Sequence, residues 1–338
     1  MRLCELLRSV PEPHLWNLVR QCGVEDAVVL LDGAEQETRW LRVVPPTPAT
    51  AVGLVPWSEE AIAAQQRDCA AYGMSIAVIE DTPPLERIRR GLPGRDEDIE
   101  QVMVQLRAMA NLGIPVLCYN WMAVSSWART DMAVSTRGGA LTTGYSHAVA
   151  ESLPPLAAPD EITAEQLWDT LAYFLHAVVP EAERLGVRLA LHPDDPPIPV
   201  ARSVPRIVSS VDAYRRVLDL HPSRSNAITL CQGNFTLMTD DLPAVITEFC
   251  ARDAVAFVHF RDVRGDVEDF VETFHDAGKT DLLACMRAYA AAGYDGPMRP
   301  DHVPTLYGES NDRPGYATLG RLFALGYIRA LEQVAYVR

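Results

Sequence analysis

The sequence lacks the features that mark secreted, membrane-bound and nucleic-acid-binding proteins. Its seven cysteines are odd in number and widely scattered, and no two form a CxxC pair, so neither a disulfide framework nor a zinc ribbon is indicated. No apolar run approaches the roughly 18 residues of a membrane span, and residues 1–20 contain no apolar signal core. The net charge of −15 argues against binding of a phosphate backbone. We therefore expect a cytoplasmic protein with neither a membrane nor a nucleic acid as partner.

Phosphate-binding loops are also missing, because the chain contains neither GxxxxGKS/T nor GxGxxG. What the chain has is 338 residues, of which 48% are hydrophobic and 22% are charged, and this composition is sufficient for a sizeable core. No break in composition suggests a linker. We therefore expect residues 1–338 to form one domain.

Apolar runs that end in turn residues alternate with segments of helical spacing along the chain. The predicted strands are residues 27–31, 75–80, 116–119, 189–191, 227–230, 255–258, 270–274 and 298–300. The predicted helices are residues 13–21, 58–72 with Ser58 as N-cap, 96–112, 161–184, 211–220, 241–251, 281–292 and 315–335. This alternation predicts a single (β/α)8 TIM barrel of parallel strands. Residues 32–56 and 120–159 show no period, and we expect both to be long loops, the first over the barrel mouth.

Four of the predicted strands end at residue types that bind metals, namely His192, Cys231, His259 and Asp301. They are 39, 28 and 42 residues apart, which is about one strand-helix-strand repeat each. Any one of them alone could be structural, since a lone histidine is often hydrogen-bonded and a lone cysteine often packs in a core. Together they predict one metal site at the C-terminal rim of the barrel. Imidazole, thiolate and carboxylate suit Zn²⁺, Mn²⁺, Fe²⁺ or Co²⁺, and the spacing does not choose among these ions.

Several stretches then suggest a family. They are HPDDPP at residues 192–197, PRIVS at 205–209, CYNWM at 118–122, WARTD at 127–131, HFR at 259–261, MRPDH at 298–302 and PGY at 314–316. In these stretches the chain closely resembles the D-mannonate dehydratases. The resemblance implies a xylose-isomerase-like barrel that binds Mn²⁺ through the four strand-end residues named above. It also implies catalytic roles for His302 and Tyr316.

The reaction that the resemblance implies is loss of water from a sugar acid to give a 2-keto-3-deoxy acid. The C2 proton next to the carboxylate is very weakly acidic, so its removal needs a divalent ion that stabilises the enediolate-like charge. A base must take this proton, and an acid must protonate the departing C3 hydroxyl. We assign His302 and Tyr316 to these two tasks, and either residue could perform either one.

Further residues are candidates for contact with the sugar acid, although each could instead be structural. Arg261 and Arg299 could hold the carboxylate, or they could be ion-pair partners of Asp262 or Glu272. The other candidate substrate contacts are Asn120, Arg129 and His275.

Two features differ from the family pattern. Family members carry a His-His pair after the first strand, where this chain has LLDG at residues 30–33, and only about 30 residues separate Asp131 from the helix at Glu161. Both regions lie where barrel loops would close over a substrate. We therefore expect D-mannonate to be a poor substrate and residues 32–56 to supply replacement contacts.

Two other functions fit the same residues. An enediolate can be reprotonated instead of losing water, so a metal-dependent isomerase or epimerase of a sugar or polyol is the first alternative. A metal-bound protein that binds a sugar acid without activity is the second, and the presence of both His302 and Tyr316 weighs against it. In each case we expect a small-molecule partner and a homo-oligomer.

Overall fold

The computed structural model describes residues 1–31, 54–157 and 161–336. The strands in these ranges are β1 (Arg2–Leu7), β2 (Asp26–Val29), β3 (Ser75–Ile79), β4 (Val116–Asn120), β5 (Asp131–Ser135), β6 (Leu141–Ser146), β7 (Arg188–His192), β8 (Val200–Ala201), β9 (Val204–Pro205), β10 (Asn226–Cys231), β11 (Val255–Phe260), β12 (Val263–Gly265), β13 (Asp269–Glu272) and β14 (Pro297–Pro300). The helices are α1 (Pro13–Gln21), α2 (Glu59–Ala71), α3 (Glu86–Arg89), α4 (Arg95–Asn111), α5 (His147–Glu151), α6 (Ala164–Leu185), α7 (Val211–Leu220), α8 (Gln232–Met238), α9 (Leu242–Ala251), α10 (Leu282–Ala291) and α11 (Thr318–Ala335).

Eight of these strands close a barrel in the order β1-β2-β3-β4-β7-β10-β11-β14, and β14 pairs with β1. Neighbouring strands are parallel, so their C-terminal ends meet at one rim, where Cys231 pairs in register with His259 and His259 with Arg299. Parallel strands are covered on both faces and are therefore apolar throughout. Accordingly, β10 and β11 are buried at every position. The predicted TIM barrel is confirmed.

The strand prediction is wrong at two places. The run at residues 27–31 was expected to begin the barrel, but β1 precedes it and β2 is the second barrel strand. Residues 270–274 were expected to be a barrel strand, but they contribute to β13, which belongs to a separate sheet. β1 lacks a clear apolar pattern because it carries Arg2 and Glu5. Glu5 is only 2% exposed, lies 3.5 Å from Arg321, and has a pKa that burial raises.

A four-stranded antiparallel sheet, in the order β12-β13-β6-β5, lies at the rim of the barrel. We call it the rim sheet. β12 starts at Val263, directly after β11 ends at Phe260. Leu141 of β6 also forms an isolated bridge with Thr305, in the segment that follows β14. The stretch at residues 120–159, predicted to be a loop, therefore contains two strands of this sheet.

The helices begin and end close to the predicted bounds. α2 starts after Ser58, whose hydroxyl accepts a hydrogen bond from the Ala61 amide, as predicted. α6 starts later than predicted because Thr163 and Gln166 form a capping box. It ends at Gly186 with φ of 70°, a left-handed conformation that glycine adopts without strain. None of the helices in the described ranges is long and apolar enough to cross a membrane.

Mostly small apolar side chains fill the inside of the barrel. They are Cys4, Leu6, Val28, Ala77, Val78, Val116, Cys118, Ala190, Ala227, Ala256 and Phe257. A larger cluster packs between the strands and the surrounding helices and includes the fully buried Trp16, Phe174 and Phe249. The barrel is therefore a packed core rather than a pore.

Candidate active site

A cavity of about 550 Å³ opens at the C-terminal ends of the barrel strands. Its walls combine apolar residues, among them Leu30, Pro84 and Trp127, with polar residues from strand ends. The polar lining includes Glu80, Asn120, His192, Asp195, His259, Arg299, Asp301, His302, Tyr316 and Arg321. A concave site in which polar groups converge between apolar walls is the usual form of a small-molecule site.

Three of the four predicted metal ligands lie together. The donor atoms of His192, Cys231 and His259 are all within 4.8 Å of one another. Asp301 is adjacent, since its Oδ2 lies 3.6 Å from His259 Nδ1. Cys231 is fully buried and belongs to this group without lining the cavity itself. Each residue lies at or next to the C-terminal end of a barrel strand, and the parallel strands bring these ends together at one rim.

The histidines in this group have the chemistry of ligands. His192 Nδ1 lies 2.7 Å from the Pro193 carbonyl and donates to it, which leaves the lone pair of Nε2 for a metal. Burial lowers the pKa of His192 and so favours the neutral ring. Neither ring nitrogen of His259, which is 1% exposed, has a hydrogen-bond partner among the described residues. A buried polar group without a partner is costly, so this ring fits a site for a divalent ion.

Glu80 is a site residue that the sequence interpretation did not select. Together with Cys118 and His259 it forms a second group whose donor atoms are within 4.8 Å of one another. Its carboxylate accepts two hydrogen bonds from Arg299, at 2.9 Å from Nε and 2.7 Å from Nη2. Burial raises the pKa of Glu80, but the charge of the Arg299 guanidinium outweighs this effect, and the pKa is lowered to about 2. Glu80 ends a predicted strand, so the rule that found the other ligands could have found it.

The two predicted catalytic residues face the same cavity. His302 has a φ of 42°, an uncommon left-handed conformation for a residue with a side chain. Its ring lies 5.6 Å from the Tyr316 ring in an edge-to-face arrangement and 5.2 Å from Trp127. The Tyr316 hydroxyl donates to Asp301 Oδ1 at 3.3 Å. An imidazole and a phenol are side chains that can transfer protons, and here both lie beside one candidate metal ligand.

The predicted substrate contacts divide into two groups. Asn120 and Arg299 line the cavity, whereas Arg129, Arg261 and His275 do not. His275 Nε2 lies 2.7 Å from the Phe260 carbonyl, and burial lowers the pKa of His275 to about 4. Its ring therefore contacts the backbone of β11 and does not point into the cavity.

Arg129 and Arg261 belong to a buried ion network behind the cavity. Arg261 contacts Glu272 at 2.8 Å, Asp195 at 2.9 Å and Asp301 at 3.1 Å. Arg129 contacts Asp195 at 2.7 Å and Glu272 at 2.5 Å. Of the alternatives considered for Arg261, pairing with Glu272 is the one observed. Asp262, the other candidate partner, accepts hydrogen bonds from Val263 and Thr280.

The region expected to replace the family His-His pair lies mostly beyond the described part of the chain, since residues 32–53 are outside it. Leu30 and Leu31 do line the cavity. The Leu31 amide donates to the Asp81 carboxylate at 3.2 Å, which fixes the position of the chain where it leaves β2. The prediction that residues 32–56 contact the substrate stays a prediction.

Comparison with known proteins gives consistent matches. The family model described as D-mannonate dehydratase (UxuA) matches residues 17–157 and 155–336. A mannonate dehydratase of Streptococcus agalactiae serotype V is 33% identical over 335 residues, covering 91% of this chain and 95% of that protein. Mannonate dehydratase 2 of Halalkalibacterium halodurans is 33% identical over 307 residues, covering 83% and 88%. The crystal structure of mannonate dehydratase from Streptococcus suis serotype 2 has a TM-score of 0.87 at 28% identity, covering 99% of this chain and 93% of that one.

Proposed function

This chain belongs to the D-mannonate dehydratase family, and from that membership we propose that it is a metal-dependent hydro-lyase acting on a sugar acid. The reaction removes the C2 proton and the C3 hydroxyl as water and leaves an enol that becomes the 2-keto-3-deoxy acid. One observation carries the proposal. A group of metal-type donors lies together at the barrel rim, and its two histidines line the same cavity as an imidazole and a phenol, those of His302 and Tyr316.

The resident ion in this proposal is Mn²⁺, held by His192, Cys231, His259 and Asp301. The mixed nitrogen, sulfur and oxygen donors suit a borderline divalent ion better than Ca²⁺. A divalent ion bound there would supply Lewis acidity, which would stabilise the negative charge that develops when the C2 proton is removed. Fe²⁺, Co²⁺ and Zn²⁺ are the alternatives, and metal analysis of the purified protein distinguishes them.

His302 and Tyr316 are the proposed proton-transfer pair. One of them takes the C2 proton and the other protonates the leaving C3 hydroxyl, so the proton removed and the proton supplied are accounted for within the chain. Their rings lie 5.6 Å apart and both residues line the cavity, which supports action on one bound substrate. Asn120 and Arg299 are the proposed cavity-facing substrate contacts, while Arg129, Arg261 and His275 would act by shaping the site from outside the cavity.

The proposed substrate is a polyhydroxy acid for which the missing His-His pair is not required. A site that lacks hydrogen-bonding groups for a hydroxyl loses discrimination for it, so a smaller or differently substituted acid than D-mannonate is expected to react faster. The remaining predictions from the sequence, one domain over residues 1–338, a cytoplasmic location and a homo-oligomer, stay predictions.

The test is a screen of sugar acids with Mn²⁺, in which 2-keto-3-deoxy acid formation is measured for each compound. A product of this class from at least one acid supports the proposal. An isomeric sugar or acid without loss of water would instead support the isomerase or epimerase alternative. Binding without any turnover would support the non-catalytic alternative.

A further inference from the structure

Behind His302, on the side of the ring away from the cavity, lies the carboxylate of Glu272. His302 Nδ1 is 2.9 Å from Glu272 Oε1. Glu272 is 1% exposed and does not line the cavity. It ends β13 of the rim sheet, so it does not belong to a barrel strand. Its contact with the substrate side of the site is therefore made through the imidazole.

The proton on Nδ1 can be assigned from the two groups that face it. Glu272 Oε1, at 2.9 Å, is a carboxylate oxygen and only accepts hydrogen bonds, so an unprotonated Nδ1 would set its lone pair against that oxygen. Arg129 Nη2 lies slightly farther away, at 3.1 Å, and it also donates to Glu272 Oε1 at 2.5 Å and to Asp195 Oδ2 at 3.2 Å. Nδ1 therefore carries the proton and donates it to Glu272.

The acceptor is held in place and kept negative by its neighbours. Glu272 accepts hydrogen bonds from both Arg129 and Arg261, and all three side chains are at most 1% exposed. Burial raises the pKa of Glu272, but Arg261, His302 and Arg129 together lower it to about 2. A fixed, ionised carboxylate orients a histidine ring and stabilises the positive ring that forms when the other nitrogen takes a proton.

We propose that Glu272 is a positioning residue for catalysis, which fixes His302 in the Nδ1–H tautomer and leaves the Nε2 lone pair toward the cavity. This inference rests on the proposed function. It also assigns a task to the rim sheet, which carries Glu272 at the end of β13, while Arg129 lies two residues before β5 begins at Asp131. The Glu272 carboxylate is thereby held at the rim, in contact with the guanidinium groups of Arg129 and Arg261.

The first test measures the tautomer directly and does not depend on activity. In ¹⁵N-histidine-labelled protein loaded with diamagnetic Zn²⁺, the His302 signals are assigned by their loss in His302→Asn among the eight histidines. We expect the nitrogen shifts of neutral His302 to be those of the Nδ1–H form. A predominantly Nε2–H ring would overturn the proposal. This measurement tests the hydrogen bond between His302 and Glu272 without any substrate. If no sugar acid is turned over, that result would count against the proposed function but not against this hydrogen bond.

The second test is a double-mutant cycle with the sugar acid that the substrate screen identifies. Glu272→Gln should lower kcat by about 10²-fold while KM and metal content change little, because the imidazole loses its ionised partner. In the His302→Asn background the same substitution should leave the residual kcat unchanged, since Glu272 acts through that ring. An equal loss in both backgrounds would mean that Glu272 is merely structural.

Folding of the variant is controlled by a second substitution. If Glu272→Gln does not fold, Glu272→Asp keeps the negative charge between the two arginines but withdraws the carboxylate from Nδ1 by one methylene. It is carried through the same cycle, with thermal unfolding measured for each protein. A kcat equal to that of the wild type in folded Glu272→Asp, together with an unchanged tautomer, would also contradict the proposal.

Discussion

Metal binding at the barrel rim should be visible in thermal stability, and the size of the effect can be worked out in advance. An ion that binds only the folded protein adds about 1.4 kcal/mol for each tenfold rise in its free concentration above Kd. The unfolding entropy of about 2.1 cal/mol/K per residue corresponds to about 0.7 kcal/mol/K for 338 residues. Tm should therefore rise by about 2 °C per decade of free Mn²⁺. The assay is calorimetry of chelator-treated protein over several decades of added Mn²⁺.

The two buried cysteines near His259 provide a matched pair of variants. Cys231 belongs to the predicted ligand group, and Cys118 belongs to the alternative group with Glu80. Both are buried and both replacements by serine change one atom. Cys231→Ser should abolish most of the Tm slope, whereas Cys118→Ser should keep it. The reverse result would move the ion to the Glu80 group, and a flat Tm in the wild type would refute the metal site.

Three further predictions concern catalysis, specificity and pH. His302→Asn and Tyr316→Phe should each lower kcat by roughly 10²–10⁴-fold with near-normal metal content; full turnover by either variant would remove that residue from the mechanism. Steady-state kinetics on D-mannonate should give a kcat/KM below the usual range of about 10⁴–10⁸ M⁻¹s⁻¹, and a value inside it would show that the departures from the family pattern are neutral. Because the pKa of Glu272 falls from 4.5 to about 2 on folding, its carboxylate stabilises the fold above about pH 4.5, and this contribution is lost as the pH falls toward 2. Urea unfolding of metal-free Glu272→Gln should show a shallower acid loss of stability than the wild type, and parallel curves would contradict this.

The barrel could be predicted because its evidence is local. Seven of the eight barrel strands can be recognised in the sequence from short runs closed by turn residues. The helices between them carry capping signals such as Ser58. β1 could not be recognised in this way, because a buried Glu5 interrupts the run and its partner, Arg321, is 316 residues away. β13 was assigned to the barrel because a local pattern gives the strand but not the sheet to which it pairs.

The candidate site, like the fold, could be predicted only where the evidence is local. The metal-type residues follow buried strands, and parallel topology brings such positions together whatever the loops do. No comparable rule predicts which residues pair in the ion network. Arg129 lies in a stretch without period, and its partners Asp195 and Glu272 are 66 and 143 residues away. Pairing over such distances depends on the rim sheet, which the sequence did not reveal. For this reason the sequence offers Arg129 as a candidate substrate contact, and for Arg261 it leaves a substrate contact and an ion pair with Glu272 as alternatives. Neither residue lines the cavity.

The buried ion network is compatible with a divalent ion beside it. Its three guanidinium groups, those of Arg129, Arg261 and Arg299, contact four carboxylates, those of Glu80, Asp195, Glu272 and Asp301. Among these seven side chains there is thus one more carboxylate than there are guanidinium groups. If Cys231 binds an ion, it does so as a thiolate, which would add a second negative charge. Buried charges are costly without a partner, and a divalent ion would balance both. Cys231→Ser should thus weaken ion binding twice over, by replacing the donor atom and by removing one of the charges that the ion balances.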